Sequence, residues 1–328
     1  MASQAPNNAV VFATRVDKVG SRAQLSRAVR VVVSLVVMVV ILIPIIWMVL
    51  TAFKSRQDAI AVPPKVVFAP TLEGFISLLT KRNLLTETDA ATYRQRTDLN
   101  WMERIMLNSG QIITGSSPFG QRLLNSVIIA GVSTIASTLL GVLAAYAFSR
   151  FNVPGKGDWL FFILSTRMLP PVVVTIPIFL MYQQLKLYDT HIGLILLYTV
   201  FNLSFSVWLL KGFIDEIPKE YEEAALVDGY SRLQAFRKVV LPQAVTGIAA
   251  TFVFCLIFAW NEYAFAFMLT SERARTAPPT IPSMIGTGGV EWAAIAAGSL
   301  AFLIPVIIVT FLLRDYLLRG VTFGALRK

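Results

Sequence analysis

Residues Glu222–Pro242 read EEAALVDGYSRLQAFRKVVLP and form the most polar stretch of an otherwise apolar part of the chain. Acidic residues crowd its first turn, where they favour the positive end of a helix dipole. Gly229 fits the left-handed C-cap that ends many helices, and Ser231 with Gln234 three residues later fits a capping box. The stretch therefore predicts a short acidic helix, a glycine turn and a second helix before Pro242 restarts the chain.

The rest of the chain is too apolar for a soluble domain. Of its 328 residues, 55% are hydrophobic and 15% are charged, whereas soluble domains carry about 25% charged residues. We therefore attribute the formal charge of +10 to basic residues at the ends of membrane helices, not to nucleic-acid binding. The single Cys255 excludes an intrachain disulfide and a multi-cysteine metal site, and the lone His191 is interpreted as an ordinary loop residue.

Six apolar segments are each long enough to cross a bilayer, which takes about 20 helical residues. The second is rich in Gly, Ala, Ser and Thr, which favour packing against other helices. Pro170, Pro171 and Pro177 lie in the third and predict a broken or kinked helix. We expect an all-α polytopic membrane protein with six transmembrane helices at Val31–Phe53, Leu123–Phe148, Trp159–Tyr182, Ile192–Leu210, Thr246–Thr270 and Trp292–Leu313.

Basic residues predict that both termini are cytoplasmic. With that orientation the cytoplasmic segments hold 16 Lys and Arg residues and the two short opposite loops hold 3, in line with the positive-inside rule. The predicted organisation is a cytoplasmic tail (1–30), a first transmembrane helix (31–53), a long periplasmic loop (54–122), a five-helix core (123–313) that includes a cytoplasmic loop (211–245), and a cytoplasmic tail (314–328).

The long loop from Lys54 to Arg122 is the main soluble element, and its polar middle has helical periodicity over Ala90–Leu107. One interpretation is a solvated cap on the membrane core. The other is a docking surface for an external partner, because long structured loops are often functional.

The polar loop of the core is better explained by a protein partner than by lipid. Amphipathic helices that lie on anionic lipid usually present basic residues, whereas the first helix here is acidic. A small apolar face, expected from Tyr221, Ala224, Ala225 and Leu226 and flanked by acids, fits a cleft on another protein.

The loop also resembles a known signature. Glu223-Ala224-Ala225, three residues, Gly229, nine residues, then Val239-Val240-Leu241-Pro242 matches the EAA pattern of binding-protein-dependent ABC importers, with Val239 in place of Ile. The segments FAWNEYAFAFMLT (258–270) and LLRDYLLRGVTFGALRK (312–328) are similar to the carbohydrate branch of that family. From about Leu123 to Lys328 the chain resembles the smaller permease of maltose/maltodextrin-type sugar importers.

The resemblance implies a type I ABC importer permease fold and a coupling helix that docks on a separate ATPase. Carried over residue by residue, the coupling element consists of Glu222, Glu223, Ala224, Ala225, Asp228, Gly229, Leu241 and Pro242. The tail around Gly324–Lys328 resembles a segment that contacts the ATPase dimer. The sequence has no G-x-x-x-x-G-K-[ST] phosphate loop, so the chain is expected to be no enzyme, and ATP and Mg are expected on the ATPase.

The implied partners are a second permease subunit in a heterodimer, two ATPase subunits, a periplasmic or lipid-anchored solute-binding protein, membrane lipid and a carbohydrate. The implied location is the bacterial inner membrane, and no metal or cofactor is expected on this chain. Polar residues inside spans are functional candidates because burying them in a bilayer is costly. The candidates for the substrate path are Arg167, Asn202, Asn261, Glu262 and Tyr263.

Three alternatives stay open at this point. In the first, Arg167 and Glu262 form a structural ion pair that only holds helices together. In the second, the chain is a secondary, ion-coupled solute transporter, although such carriers often contain repeated halves and no repeat is seen in the sequence. A purely structural membrane-assembly protein would account for the hydrophobicity but not for the polar helix–glycine–helix loop.

Overall fold

The computed structural model describes residues 8–86, 93, 96, 98–286 and 289–325, with side chains in those ranges apart from 8–25, 285, 286, 289 and 315–325. Helices dominate, and two short antiparallel sheets are added to them. In chain order the elements are α1 (Asn8–Ala52), α2 (Arg56–Ala59), α3 (Glu73–Leu79), β1 (Thr80–Leu84), α4 (Trp101–Asn108), β2 (Gln111–Ser116), α5 (Phe119–Arg150), α6 (Lys156–Ser165), α7 (Pro171–Gln184), α8 (His191–Asp215), α9 (Glu220–Val227), α10 (Arg232–Ala235), α11 (Leu241–Trp260), α12 (Ala264–Leu269), β3 (Ile285–Gly286), β4 (Gly289–Val290) and α13 (Trp292–Ala325).

Six stretches of the described chain are apolar and long enough to cross a bilayer if one bent pair of helices counts as a single span, and each overlaps one of the six predicted spans. Five are continuous: Ser26–Ala52, Phe119–Arg150, His191–Asp215, Arg232–Trp260 and Trp292–Arg314. The sixth combines Lys156–Met168 with Pro171–Gln184. Their alternation brings the ends of α5 and α8 and the start of α11 together at what we call the loop end. The end of α1 and the starts of α5 and α13 meet at the opposite, hairpin end.

The second span, α5, packs against the other spans along a stripe of small side chains, as its composition predicts. Gly141 lies so close to Ser206 of α8 that a methyl group would not fit between them. Small residues permit this approach because little side-chain volume separates the two backbones. The buried small residues of α5 are Ser126, Ala130, Ser133, Thr134, Ser137, Thr138, Gly141, Ala145 and Ser149.

The third span is broken, as its prolines predict. α6 ends in a single 3₁₀ turn, Thr166–Met168, and α7 starts at Pro171 after a bend of 93°. Pro170 and Pro171 lack backbone N–H groups, so neither can continue the hydrogen-bond ladder of α6. Pro177, in contrast, lies within α7 without ending it.

The fifth span differs from its predicted bounds, Thr246–Thr270, at both ends. Pro242 does not restart the chain, because α10 continues through a π turn, Phe236–Val240, into α11. Proline clashes with the carbonyl four residues back in a regular α-helix, and the wider π turn relieves that clash. At the other end α11 stops at Trp260, and α12 is a separate short helix.

The long segment between α1 and α5 folds onto the hairpin end. β1 pairs with β2 in antiparallel register, with an irregularity between Lys81 and Arg82. Arg82 forms an ion pair with Glu291, the residue before α13, and so ties the β1–β2 hairpin to the last span. The predicted helix over Ala90–Leu107 appears as α4, which starts at Trp101; residues 87–92, 94, 95 and 97 lie outside the described set.

Candidate functional site

The polar loop at the loop end folds as its sequence predicts. α9 has three acids in its first turn. Beyond its end, Gly229 has a φ of +85°, a left-handed conformation that glycine adopts without steric cost. The amides of Gly229 and Tyr230 donate to the carbonyls of Leu226 and Ala225 at 3.1 and 3.0 Å. These bonds satisfy carbonyls that would otherwise be unpaired at the end of α9.

The second helix begins with the predicted capping box. The Gln234 amide donates to Ser231 Oγ at 3.3 Å, and the Ser231 amide donates to Gln234 Oε1 at 2.7 Å. Two backbone donors at the start of α10 are thereby satisfied, which fixes the direction in which the chain leaves the glycine turn.

The outward face of the loop is apolar with acids beside it. Val227 is 87% exposed and Leu233 is 63% exposed. Ala225, expected on this face, is buried instead, because it lies three residues after Glu222 and therefore on the same inward side of α9. The exposed residues of α9 and its C-terminal turn include Tyr221, Glu223, Ala224, Asp228 and Gly229.

Glu222 points into the protein and is not part of the exposed face, contrary to its expected place in the docking element. It is only 8% exposed. Tyr146 Oη donates to one of its carboxylate oxygens at 2.5 Å, and Arg150 Nε donates to the other. Both partners lie near the end of α5, so Glu222 joins α9 to the second span.

A hydrophobic cluster supports the loop from beneath. Leu241 is half-buried against it, and Pro242 is exposed at the second residue of α11. These two predicted coupling residues therefore join the loop to the span and lie apart from its outward face. The buried members of the cluster are Val142, Ala145, Tyr146, Leu210, Ile214, Ile217, Phe236, Val240 and Ala244.

A cavity of about 240 Å³ opens at the break in the third span. Three of the five predicted path residues line it: Arg167, Asn202 and Glu262. Asn202 is also a link between spans, because its Nδ2 donates to the Cys255 carbonyl of α11 at 3.1 Å. The other lining residues are Leu169, Pro171, Tyr198, Phe201, Phe258, Ala259 and Phe265.

Arg167 is held by a carbonyl and aromatic rings, and not by the ion pair with Glu262 that was weighed as an alternative. Its Nη1 donates to the Phe201 carbonyl at 3.3 Å. Its guanidinium lies 4.2 Å from the ring centroid of Phe258, within the range of a cation–π interaction. A guanidinium has five N–H donors, so Arg167 can keep these contacts and also bind an oxygen-rich molecule in the cavity.

Glu262 organises the break between α11 and α12. Its carboxylate accepts hydrogen bonds from the amides of Phe265 and Ala266 at 2.8 and 3.0 Å, at the start of α12. The hydroxyl of Tyr198 on α8 donates to it at 2.7 Å. Glu262 thus closes the start of the short helix and ties it to the fourth span while it lines the cavity.

The other two predicted path residues lie outside the cavity wall. Asn261 is exposed, and its Nδ2 donates back to the Ile257 carbonyl at 2.8 Å. Tyr263 is partly exposed and stacks on Phe267 with ring centroids 5.6 Å apart. Tyr198 and Phe258 take their places in the wall. Nothing in the sequence singled these two out, because aromatic residues are frequent in every span.

Two loops are fastened together at the hairpin end by Asp189. Its carboxylate accepts hydrogen bonds from the four backbone amides of residues 271–274 at 3.1–3.3 Å. Burial raises the pKa of Asp189, but the four amides outweigh burial and leave the pKa below its usual value. His191 is not a loop residue: it is the first residue of α8, and its Nε2 lies 2.8 Å from Asn125 Oδ1.

The predicted ATPase contact around Gly324–Lys328 lies outside the described side chains.

Residues 137–323, more than half of the chain, match the family described as "Binding-protein-dependent transport system inner membrane component".

Several relatives match most of the chain. The probable ABC transporter permease protein y4oR of Sinorhizobium fredii is 32% identical over 88% of this chain and 91% of its own length. The trehalose transport system permease protein SugB of Mycobacterium tuberculosis is 36% identical over 64% of this chain and 77% of its own length. The trehalose/maltose transport system permease protein MalG of Thermococcus litoralis is 28% identical over 92% of this chain and 98% of its own length.

The fold is also found among solved structures. A chain of a bacterial ABC transporter involved in the import of the acidic polysaccharide alginate superposes with a TM-score of 0.59. The alignment covers 97% of this chain and 100% of that chain at 19% identity. The likeness concerns the fold, and it confirms the predicted importer-permease architecture.

Proposed function

The chain belongs to the family of inner-membrane components of binding-protein-dependent transport systems, and from this membership we propose that it is one membrane subunit of an ATP-driven importer for a sugar, oligosaccharide or polyol. Relatives named for trehalose and for trehalose/maltose transport support the carbohydrate class. In this proposal the chain performs no catalysis and binds no cofactor. ATP and Mg bind to separate ATPase subunits.

The observation that carries the proposal is the exposed loop of α9, Gly229 and α10 at the loop end. Its EAA-type residues form a compact unit in which Glu223, Ala224 and Asp228 are exposed next to Val227. Such a surface fits a cleft on an ATPase: the small alanine permits close approach, the apolar side chains bury area, and the acids meet basic groups. ATPase closure would then move the spans as rigid bodies between inward-open and outward-open states.

The cavity at the break of the third span is the proposed substrate path. Arg167 and Asn202 supply hydrogen-bond donors and Glu262 supplies acceptors, while Phe258 and Tyr198 supply flat apolar surface. Sugars present hydroxyl groups around a weakly polar ring, so this mixture of polar groups and aromatic rings suits them. Asn261 and Tyr263 contribute to the path only if the break between α11 and α12 rearranges.

The proposed assembly contains this chain, a second permease, two ATPases and an external solute-binding protein. The loop end faces the cytoplasm in this proposal, which places both termini inside and the segment 54–122 outside the bacterial inner membrane. That outer segment then lies where a binding protein delivers its sugar.

Affinity purification from the native membrane tests the proposal. We expect an ATP-hydrolysing subunit and a second permease to co-purify, and ATP-dependent uptake of a sugar after reconstitution with the binding protein. A chain recovered alone and without ATPase activity would count against the importer. Uptake that follows an ion gradient would support the ion-coupled carrier instead.

A further inference from the structure

We propose that Glu222 is a positioning residue that passes movement of the coupling loop to α5, and not a contact for the ATPase. The inference rests on the proposed function. Glu222 and Glu223 are neighbours in the acidic turn of α9, but they point in opposite directions: Glu223 is exposed, whereas Glu222 is buried. Only Glu223 is therefore available to a partner that covers the loop.

Glu222 is bound on both carboxylate oxygens by one turn of α5. Tyr146 and Arg150 are four residues apart and so lie on the same face of that helix. Tyr146 Oη donates to Oε1 and Arg150 Nε donates to Oε2. Arg150 Nη2 also donates to the Ile217 carbonyl at 2.9 Å. One guanidinium thus fixes both the approach to α9 and its first turn.

The π turn that follows α10 packs against the same turn of α5. The ring of Phe236, the first residue of the π turn, lies 4.4 Å from the ring of Tyr146 between centroids. The side chains of Arg150 and Glu222 are only 5% and 11% exposed, so water screens their attraction little. These contacts tie α9 and the start of the fifth span to one turn of α5.

Contacts from α5 continue towards the cavity. Gly141 of α5 lies directly against Ser206 of α8, and α8 also carries Tyr198 and Asn202 of the cavity wall. A push on α9 can reach the cavity through these packed helices. If Glu222 provides the link, weakening it should separate ATPase turnover from rearrangement of the cavity and leave the ATPase attached.

Maleimide labelling of a cysteine in the cavity wall measures this rearrangement without a sugar. The complete complex is reconstituted with Leu169→Cys, and labelling is compared with and without ATP and vanadate; a complex without that change gives the background from the buried Cys255. In the complex with native Glu222 we expect ATP and vanadate to change the labelling rate about tenfold, as for typical coupling between sites. Glu222→Gln and Tyr146→Phe should each reduce the change to less than about threefold while ATPase subunits stay bound and hydrolyse ATP.

Glu223→Gln is the matched control, and we expect it to weaken retention of the ATPase. A merely structural defect in Glu222→Gln would lower membrane insertion, ATPase retention and the labelling change together. Tyr146→Phe removes a single oxygen, so it tests the link even if Glu222→Gln fails to insert. An undiminished labelling change in both variants, or loss of the ATPase from Glu222→Gln, would overturn the inference. If no ATPase assembles even with the chain that carries native Glu222, the proposed function is refuted. The inference is then refuted with it.

Discussion

Two glutamates, the buried Glu222 and the partly buried Glu262, hold this chain together at places where helices change direction. Glu222 joins α9 to α5, and Glu262 joins α12 to α8. Each accepts a hydrogen bond from a tyrosine hydroxyl, at 2.5 Å from Tyr146 and at 2.7 Å from Tyr198. Their remaining partners differ: Glu222 binds the guanidinium of Arg150, whereas Glu262 binds backbone amides at the start of α12.

The difference decides what each join depends on. If the carboxylate of Glu222 is removed, Arg150 is left as a buried cation without its acid, which is among the most costly defects in a folded protein. If the carboxylate of Glu262 is removed, the groups left behind are neutral donors at a helix start. The loop end is therefore held by charge between distant segments, and the cavity join mainly by local backbone geometry.

Alanine at the two glutamates should give the largest effect. We expect Glu222→Ala to lower the free energy of unfolding by about 3–5 kcal/mol, the usual cost of breaking a buried ion pair. Glu262→Ala should cost about 1–3 kcal/mol, the range for unsatisfied neutral groups. Thermal unfolding in mild detergent measures both, with exposed Glu223→Ala as the control. Equal losses at 222 and 262 would show that the buried charge of Arg150 does not make the first join the more costly one to remove.

The glycine turn should rank next, because it orients the loop that Glu222 anchors. A Cβ at Gly229 or at Gly212 would meet no atom within 4 Å, but only Gly229 has a positive φ. Alanine at 229 should therefore cost about 1–2 kcal/mol in backbone strain, whereas alanine within α8 at 212 should be neutral or stabilising. We expect Gly229→Ala, but not Gly212→Ala, to slow ATP-driven uptake roughly tenfold. This factor corresponds to about 1.4 kcal/mol of strain added to docking of the loop on the ATPase. Equal uptake by the two variants would show that the turn is not required.

Removal of the Arg167 guanidinium should weaken sugar uptake through the cavity. Methionine keeps much of the side-chain length but removes every donor, so we expect the KM for sugar uptake to rise about tenfold, as for loss of a charged hydrogen bond. Tyr263→Phe, outside the cavity wall, is the control and should leave the KM within about twofold. A normal KM for Arg167→Met would remove Arg167 from the path.

Asp189 should give the smallest effect, and it depends on pH. Its folded pKa lies below the ordinary value of 3.8, so the stabilisation is fully present above the unfolded pKa. It is lost as pH falls through the folded pKa. Unfolding scans from pH 6 down to about pH 3 should show a loss of stability in the native chain that is reduced in Asp189→Asn. At neutral pH the variant should be about 1 kcal/mol less stable. An unchanged pH profile would mean that the four amides do not favour the ionised carboxylate.

Local rules predicted much of this fold. The break at Pro170 and Pro171 follows from missing N–H donors, and the turn at Gly229 and the cap at Ser231 follow from backbone hydrogen bonding within a few residues. The six spans follow from their length and apolar composition. Predicting these features does not require knowing which distant segments pack nearby.

The features that sequence reasoning missed depend on distant segments. Glu222 turns inward because the end of α5 supplies Tyr146 and Arg150, and its neighbour Glu223 has the same chemistry in the sequence. His191 begins a helix instead of lying in a loop. Phe258 lines the cavity and Asn261 does not, because α11 ends at Trp260. The position of that helix end depends on how Glu262 binds the first amides of α12.

The π turn at Phe236–Val240 has a geometric consequence for the whole loop. A π turn contains one more residue than the α turn it replaces, and each residue of an α-helix advances the helix by about 100°. The extra residue therefore rotates the loop that precedes the π turn by about 100° relative to the span. Removing one residue from this turn would leave both the outward face of α9 and the lining of α11 intact in composition, yet rotate one against the other by more than a quarter of a turn. The angle at which this protein presents its loop therefore depends on the length of this five-residue turn, Phe236–Val240.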